Sequence, residues 1–186
     1  MLTLDKDHVY RDGNGAIIPG VTSILKAAGL IDATWFNDYA RDRGTLVHEA
    51  CALYDRDDLD EQSLDPELEP YVRAWIKFRA DSGFVPELVE HIVNNPLRGY
   101  AGKLDVTGVM NGREYVIDRK SGAVQAWAGI QLAAYEACLP THHKRAAIEL
   151  DSNGKYRLIE FTDRNDFNVF LSALALTNWK HNKGVK

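Results

Sequence analysis

Leu104-Asp105-Val106-Thr107-Gly108-Val109-Met110-Asn111-Gly112-Arg113-Glu114-Tyr115-Val116-Ile117-Asp118-Arg119-Lys120 is the stretch whose reading decides the fold. Two runs rich in β-branched and aromatic residues, 104 to 110 and 113 to 120, flank Asn111-Gly112, the strongest short-range signal for a two-residue type I′ hairpin. That turn fixes the register. Met110 is expected to face Arg113, Thr107 to face Val116, and Asp105 to face Asp118. Side chains alternate along a strand, so Asp105, Asp118, Lys103 and Lys120 are expected on one face and Leu104, Val106, Tyr115 and Ile117 on the other. One face reads as core and the other as site.

Opposed residues in such a pair have Cβ atoms about 5 Å apart, and like charges there destabilise the hairpin unless something neutralises them. A divalent cation would do so. Mg²⁺ or Mn²⁺ takes oxygen ligands, commonly one or two carboxylates completed by waters and substrate phosphates. Lys120 would then sit beside the ion, where it could hold or polarise a water. The plainer alternative is an exposed face whose charges are solvated.

Further motifs occur on both sides of the hairpin. Gly102-Lys103-Leu104-Asp105, then Val116-Ile117-Asp118-Arg119-Lys120-Ser121-Gly122, then Gln131-Leu132-Ala133-Ala134-Tyr135 follow one another, preceded by Arg43-Gly44-Thr45-Leu46-Val47-His48-Glu49. In this order they resemble the core of the PD-(D/E)XK nuclease superfamily, specifically its RecB-like branch: a Gly-x-x-Asp strand, an Asp-x-Lys strand, a Gln-x-x-x-Tyr helix and the helix that supplies a metal-binding histidine. Ile18-Pro19-Gly20-Val21-Thr22-Ser23-Ile24-Leu25 is similar to the opening of small phage-type and mitochondrial genome maintenance exonucleases, with Gly20 in place of the usual serine.

The resemblance implies an α/β fold with a central mixed sheet flanked by helices, restriction-endonuclease-like. It implies a metal-dependent deoxyribonuclease, an exonuclease acting at single-stranded ends ahead of an endonuclease, of the kind that serves phage metabolism or DNA repair and recombination. His48, Asp105, Asp118 and the Arg119 carbonyl would hold one Mg²⁺ or Mn²⁺, with a second ion joining alongside substrate. Asp105, Asp118, Lys120, Gln131 and Tyr135 would form the catalytic set, and Arg41, Arg43, Gln131 and Tyr135 would contact DNA. Glu90, on the strand before the hairpin, is a further acidic candidate. A non-catalytic nucleic-acid-binding module and a hydrolase of small phosphate esters are the alternatives from other classes. The presence of both aspartates and the lysine argues against the binding module.

Composition bounds these readings. At 186 residues, 45% hydrophobic and 26% charged, the chain reads as a single globular domain over 1–186 whose core needs no staples. No apolar run is long enough for a membrane span, and Asp5, Lys6 and Asp7 stand where a signal peptide would be apolar, so a cytoplasmic location is expected. Cys51 and Cys138 suit a reducing compartment and are too few for a four-cysteine iron-sulfur cluster.

The net charge of −5 runs against a polyanionic partner. Its distribution restores the case, because Asp55, Asp57, Asp58, Asp60, Glu61, Asp65, Glu67 and Glu69 concentrate eight of the 27 carboxylates in one block. Elsewhere Lys26, Arg41, Arg43, Lys103, Arg119, Lys120, Lys144 and Arg145 are candidate phosphate contacts, with Arg119 last because alternation aims it away from Asp118. DNA is the expected partner, with a homo-oligomer or a recombination protein as a further one.

Along the chain, a short hairpin is expected over 9–18. Helices follow: one capped by Thr22 or Ser23 and ended by Gly29, one over 35–54 bent at Gly44, and one over 70–82. Strand 88–93, the central hairpin, helix 124–139, strands 145–150 and 155–161, and a helix capped by Thr162 or Asp163 complete the order. On the second helix His48 shares a face with Gly44, Cys51 and Ala52, small neighbours that leave room for a metal or phosphate. Trp127, Gln131 and Tyr135 are spaced four apart and so lie along one stripe of theirs. His8, His91, His142, His143 and His181 have no such context.

Overall fold

The structure is a computed structural model that describes residues 2–5, 9–31 and 38–185. The chain begins with β1 (Thr3–Leu4), β2 (Tyr10–Arg11), β3 (Ile17–Ile18) and α1 (Val21–Ala27). Two long helices follow, α2 (Asp38–Asp55) and α3 (Glu69–Ser82), with a short 3-10 turn at Glu61–Ser63 between them. Then come β4 (Val85–Asn95), β5 (Tyr100–Met110), β6 (Arg113–Lys120), α4 (Trp127–Glu136), β7 (Lys144–Leu150), β8 (Tyr156–Phe161) and α5 (Asp166–Lys183).

The central hairpin forms at the expected turn. Asn111 and Gly112 both take left-handed φ, 52° and 70°, the requirement of a type I′ turn, and Met110 pairs Arg113 while Thr107 pairs Val116. Around it lies a five-stranded sheet in the order β4-β5-β6-β7-β8, in which β6 and β7 are parallel and all other neighbours antiparallel. A parallel pair needs a crossover, and α4 supplies it. β1, β2 and β3 make a separate small antiparallel sheet, which the bridge of Gly20 to Ala101 ties to β5.

Each face of the large sheet carries its own core. On one side α2 and α3 bring Val47, Cys51, Trp75 and Phe78 against Val106, Tyr115, Ile117 and Ile148. On the other, α1, α4 and α5 bring Ile24, Leu132, Tyr135 and Phe170 against Tyr100, Leu104 and Val116. Helices thus cover both faces, as expected of the α/β reading, and among the described residues no helix is long and apolar enough to cross a membrane.

Local expectations fail where a side chain finds a better partner. Gly20, with extended backbone and no side-chain cap, precedes α1, because Thr22 is turned to Gln131 of α4 instead. Asn165 starts α5, since Asp163 Oδ1 accepts the Asn165 N–H in a local turn before it. α4 is shorter than the expected 124–139 because the Val124 N–H is already held by Glu149 at 2.9 Å. α2 runs unbroken through Gly44, and the start expected at residue 35 lies outside the described residues.

Candidate active site

β5 does not alternate uniformly. Leu104 packs with the α4 side of the sheet and Val106 with the α2 side, although strict alternation puts both on one face. The neighbouring strand does the same, with Val89 against the α2 side and Val93 against the α4 side. Between the pairs Val89 to Val106 and His91 to Leu104 lies one step, occupied by Glu90 and Asp105. Glu90 takes φ +51°, left-handed backbone that non-glycine residues seldom adopt. A residue of this kind inside a strand breaks the period of two, as bulges do, and re-aims the side chains around it.

The carboxylates therefore meet differently from the direct opposition expected of Asp105 and Asp118. The β5–β6 register ends at Val106 to Ile117, and Asp105 Oδ2 accepts the backbone N–H of Arg119 at 2.7 Å. The same oxygen stands 3.1 Å from Nδ1 of His48 on α2. One ligating atom each from His48, Glu90 and Asp105 falls within 4.8 Å of the others, the spacing of a metal-binding set. Burial would pull the His48 pKa down, yet the charge and hydrogen bond of Asp105 prevail and raise it. Asp105 is likewise opposed by burial, but His48, Arg119 and Lys120 hold it below the usual carboxylate range.

Asp118 lies on the α4 side with Val116. Lys120 Nζ donates to its Oδ1 at 3.1 Å and stands 2.8 Å from Oδ2, which is buried without a well-formed hydrogen bond. A buried carboxylate oxygen whose contact with the ammonium is poorly aligned is one that a cation could also engage. Burial raises the Asp118 pKa, helped by the nearby charge of Asp105 and opposed by Lys120. Lys120 itself is raised, because Asp118 and Asp105 outweigh its own desolvation. Its ammonium also lies 4.9 Å from the centroid of the Trp127 ring.

Gln131 and Tyr135 share one inward stripe of α4, as their spacing requires, and both are buried. Gln131 Nε2 donates to the Tyr135 hydroxyl and to Thr22 Oγ1, each at 3.2 Å, while its buried Oε1 has no partner. Burial, then the charges of Asp118 and Asp105, push the Tyr135 phenol well above its ordinary value. Gly102 allows this close packing, since a Cβ there would run into the Tyr135 ring.

Arg119 points the other way, toward α2 and α3, and is 0% exposed. Its guanidinium donates to Asp55 Oδ2 at 2.9 Å, Glu90 Oε1 at 3.2 Å and the Asp105 carbonyl at 3.3 Å, and lies over Trp75 at 5.1 Å. Such a side chain is a strut and does not reach a substrate phosphate. Asp55 in turn accepts from Trp75 Nε1 at 2.8 Å and Arg79 at 3.0 Å. Lys103 also lies on this side, 2.6 Å from Glu90 Oε2, so it does not share the face of Lys120.

Arg43 sits at the rim, donating to the Ser121 carbonyl at 3.2 Å with its guanidinium over the Tyr71 and Tyr39 rings. Arg41 is solvent-facing and paired with Asp38 and Asp42. Lys144 pairs with Glu160, and Arg145 is tied to Asp166 and Gly129 on the α4–α5 side. His142 and His143 bond locally, to Glu136 and the Thr141 carbonyl, and His8 lies outside the described residues. By sequence Asp55 belongs to the acidic block and Thr22 reads as a cap, and no periodicity in the chain distinguishes them. Glu90 carried only its strand position, because a left-handed residue within a strand leaves no mark on hydropathy.

No protein-family model matches the chain, and no curated protein matches it either. Among solved structures, a protein from Eubacterium rectale described as a candidate exonuclease superposes with a TM-score of 0.57 at 14% identity, over 89% of this chain and 79% of that one. An alkaline exonuclease from Laribacter hongkongensis, also solved in complex with dAMP, covers 89% of this chain and 92% of its own at 14% identity. Its TM-score of 0.39 is too low to carry an argument. The first likeness shows the fold, a mixed sheet flanked by helices.

Proposed function

We propose that this chain is a metal-dependent deoxyribonuclease of the RecB-like branch, one domain over 1–186, that acts as an exonuclease at single-stranded DNA ends. The observation that carries the reading is the convergence of His48, Glu90 and Asp105 beside the buried Asp118–Lys120 pair, on a fold shared with an exonuclease candidate. Mg²⁺ or Mn²⁺ fits the donor set, which is oxygen-rich with one imidazole. His48, Glu90, Asp105, Asp118 and the Arg119 carbonyl are the groups that would hold one or two ions. When bound, such an ion lowers the pKa of its water and stabilises charge on the scissile phosphate.

The residues of the chain have separable tasks. Lys120, its pKa raised, stays an ammonium: it donates hydrogen bonds to an attacking water or to the oxyanion of the pentavalent phosphorus and is not the proton acceptor. Gln131 presents an unpartnered amide oxygen and Tyr135 a protonated phenol, groups suited to orienting the phosphate or sugar rather than to removing a proton. Arg43 supplies a rim cation for the backbone.

Digestion of end-labelled single-stranded, duplex and circular DNA with Mg²⁺ or Mn²⁺ tests the proposal, comparing the wild type with Asp118→Ala and Lys120→Ala. Loss of linear DNA alone, abolished in both variants and by EDTA, is the expected result. Cutting of circles would move the assignment to an endonuclease, and no cutting with either metal would overturn the reading.

A further inference from the structure

Glu90 is the one member of the three-residue donor set whose carboxylate is shared between two cations, Arg119 on Oε1 and Lys103 on Oε2. The two differ in freedom. Arg119 is fully buried and fixed by Asp55, the Asp105 carbonyl and the Trp75 ring. Lys103 is 37% exposed on a flexible stem, and its ammonium is readily rehydrated. From this asymmetry we propose that Lys103 is an internal counter-ion of Glu90 that a divalent cation displaces, releasing the ammonium to meet the phosphate backbone of the substrate.

The inference rests on the metal reading given above. A doubly charged ion seated among His48, Glu90 and Asp105 would stand against an ammonium that already occupies the same carboxylate, and like charges at that range repel strongly. Arg119 cannot yield without abandoning three other contacts, so Lys103 yields. It lies two residues before Asp105 on β5, so the released ammonium stays at the mouth of the site. Ion binding thereby converts a self-neutralised pair into a free positive charge at the point where a polyanion must dock. The gain opposes the net charge of −5 locally, where it matters.

The test has two parts, neither of which reads catalysis. Calorimetric titration with Mn²⁺ is carried out on the wild type, Lys103→Met, Lys103→Gln and Lys77→Met, the last removing a surface pair with Asp81 as a control. Both Lys103 variants are expected to bind Mn²⁺ about fivefold more tightly, the equivalent of an ion pair of this exposure, and Lys77→Met to match the wild type. Binding of a labelled oligothymidylate is then measured against salt concentration with Ca²⁺ in place of the active metal. The wild-type salt slope is expected to exceed that of Lys103→Met by about 0.7, one phosphate contact on a single strand, and the difference to vanish in EDTA. Equal or weaker Mn²⁺ binding by both Lys103 variants, or equal salt slopes in Ca²⁺, overturns the inference while leaving the metal site standing. Absence of Mn²⁺ binding by the wild type overturns the site and this inference together.

Discussion

Replacing Asp55 by alanine is expected to cost about 5 kcal/mol of folding stability, more than any single exposed ion pair of this protein. Three donors converge on its fully buried carboxylate: Arg119 at 2.9 Å, Trp75 Nε1 at 2.8 Å and Arg79 at 3.0 Å. Burial drives the Asp55 pKa up despite both arginines, and an intact buried ion pair commonly adds little net stability. Its removal is another matter. Deleting one partner of a buried pair costs about 3–5 kcal/mol because the other charge stays behind, and an unsatisfied indole N–H adds about 1–3 kcal/mol. The contributions overlap, which sets the total near 5 kcal/mol, or roughly 10–20 °C in Tm for a chain of this size.

Urea denaturation followed by circular dichroism measures it, provided the slope with denaturant is unchanged. The double variant Asp55→Leu/Arg119→Met is expected to be more stable than Asp55→Ala alone, because the fully buried Arg119 guanidinium no longer stands without its anion. Arg119→Met by itself leaves Asp55 with a pKa raised further above its unfolded value. A carboxyl raised in the folded state favours folding below its unfolded pKa and loses that contribution as pH rises through the folded one. The deficit of Arg119→Met relative to wild type should therefore shrink between pH 7 and pH 4. A loss under about 1 kcal/mol for Asp55→Ala, or a double variant no more stable than Asp55→Ala, would refute the account of a buried network with one indispensable anion.

Three further outcomes are expected. Gly102→Ala forces a Cβ into the Tyr135 ring, and if that helix face positions substrate, nuclease activity should fall on the order of a hundredfold in digestion assays while the fold persists by circular dichroism. Mn²⁺ affinity, measured by calorimetry, should weaken as pH drops through the raised pKa of His48, since a ligating imidazole must be unprotonated; His48→Gln should bind weakly with a flatter profile. Burial pushes the Cys51 thiol up to about 12 and Cys138 to about 11, so neither should react appreciably with a disulfide reagent near neutral pH until urea unfolds the chain, when two thiols titrate together.

The secondary structure was legible wherever the cause was local. Asn111-Gly112 dictated a type I′ turn and with it the pairing of Met110 to Arg113 and Thr107 to Val116. Gly29, Gly83 and Gly112 mark ends and turns with left-handed φ, as glycine there predicts. Counting outward from the turn failed at one step only, at Asp105, because Glu90 on the adjacent strand breaks alternation there. The consequence is large: Lys103 and Lys120 part to opposite sides, and both sheet faces become core.

By itself, then, the sequence determined the hairpin register, the α/β order and the helical stripe that carries Gln131 and Tyr135, since turn chemistry and periodicity act within about ten residues. Tertiary structure alone decided which charges meet. It joined Asp55 to Arg119 across 64 positions, brought His48 against Asp105, and divided Glu90 between Arg119 and Lys103. The physical reason is that a buried charge takes whatever partner the packed helices and strands bring within hydrogen-bond reach, and that proximity is a property of the assembled core with no counterpart in spacing along the chain.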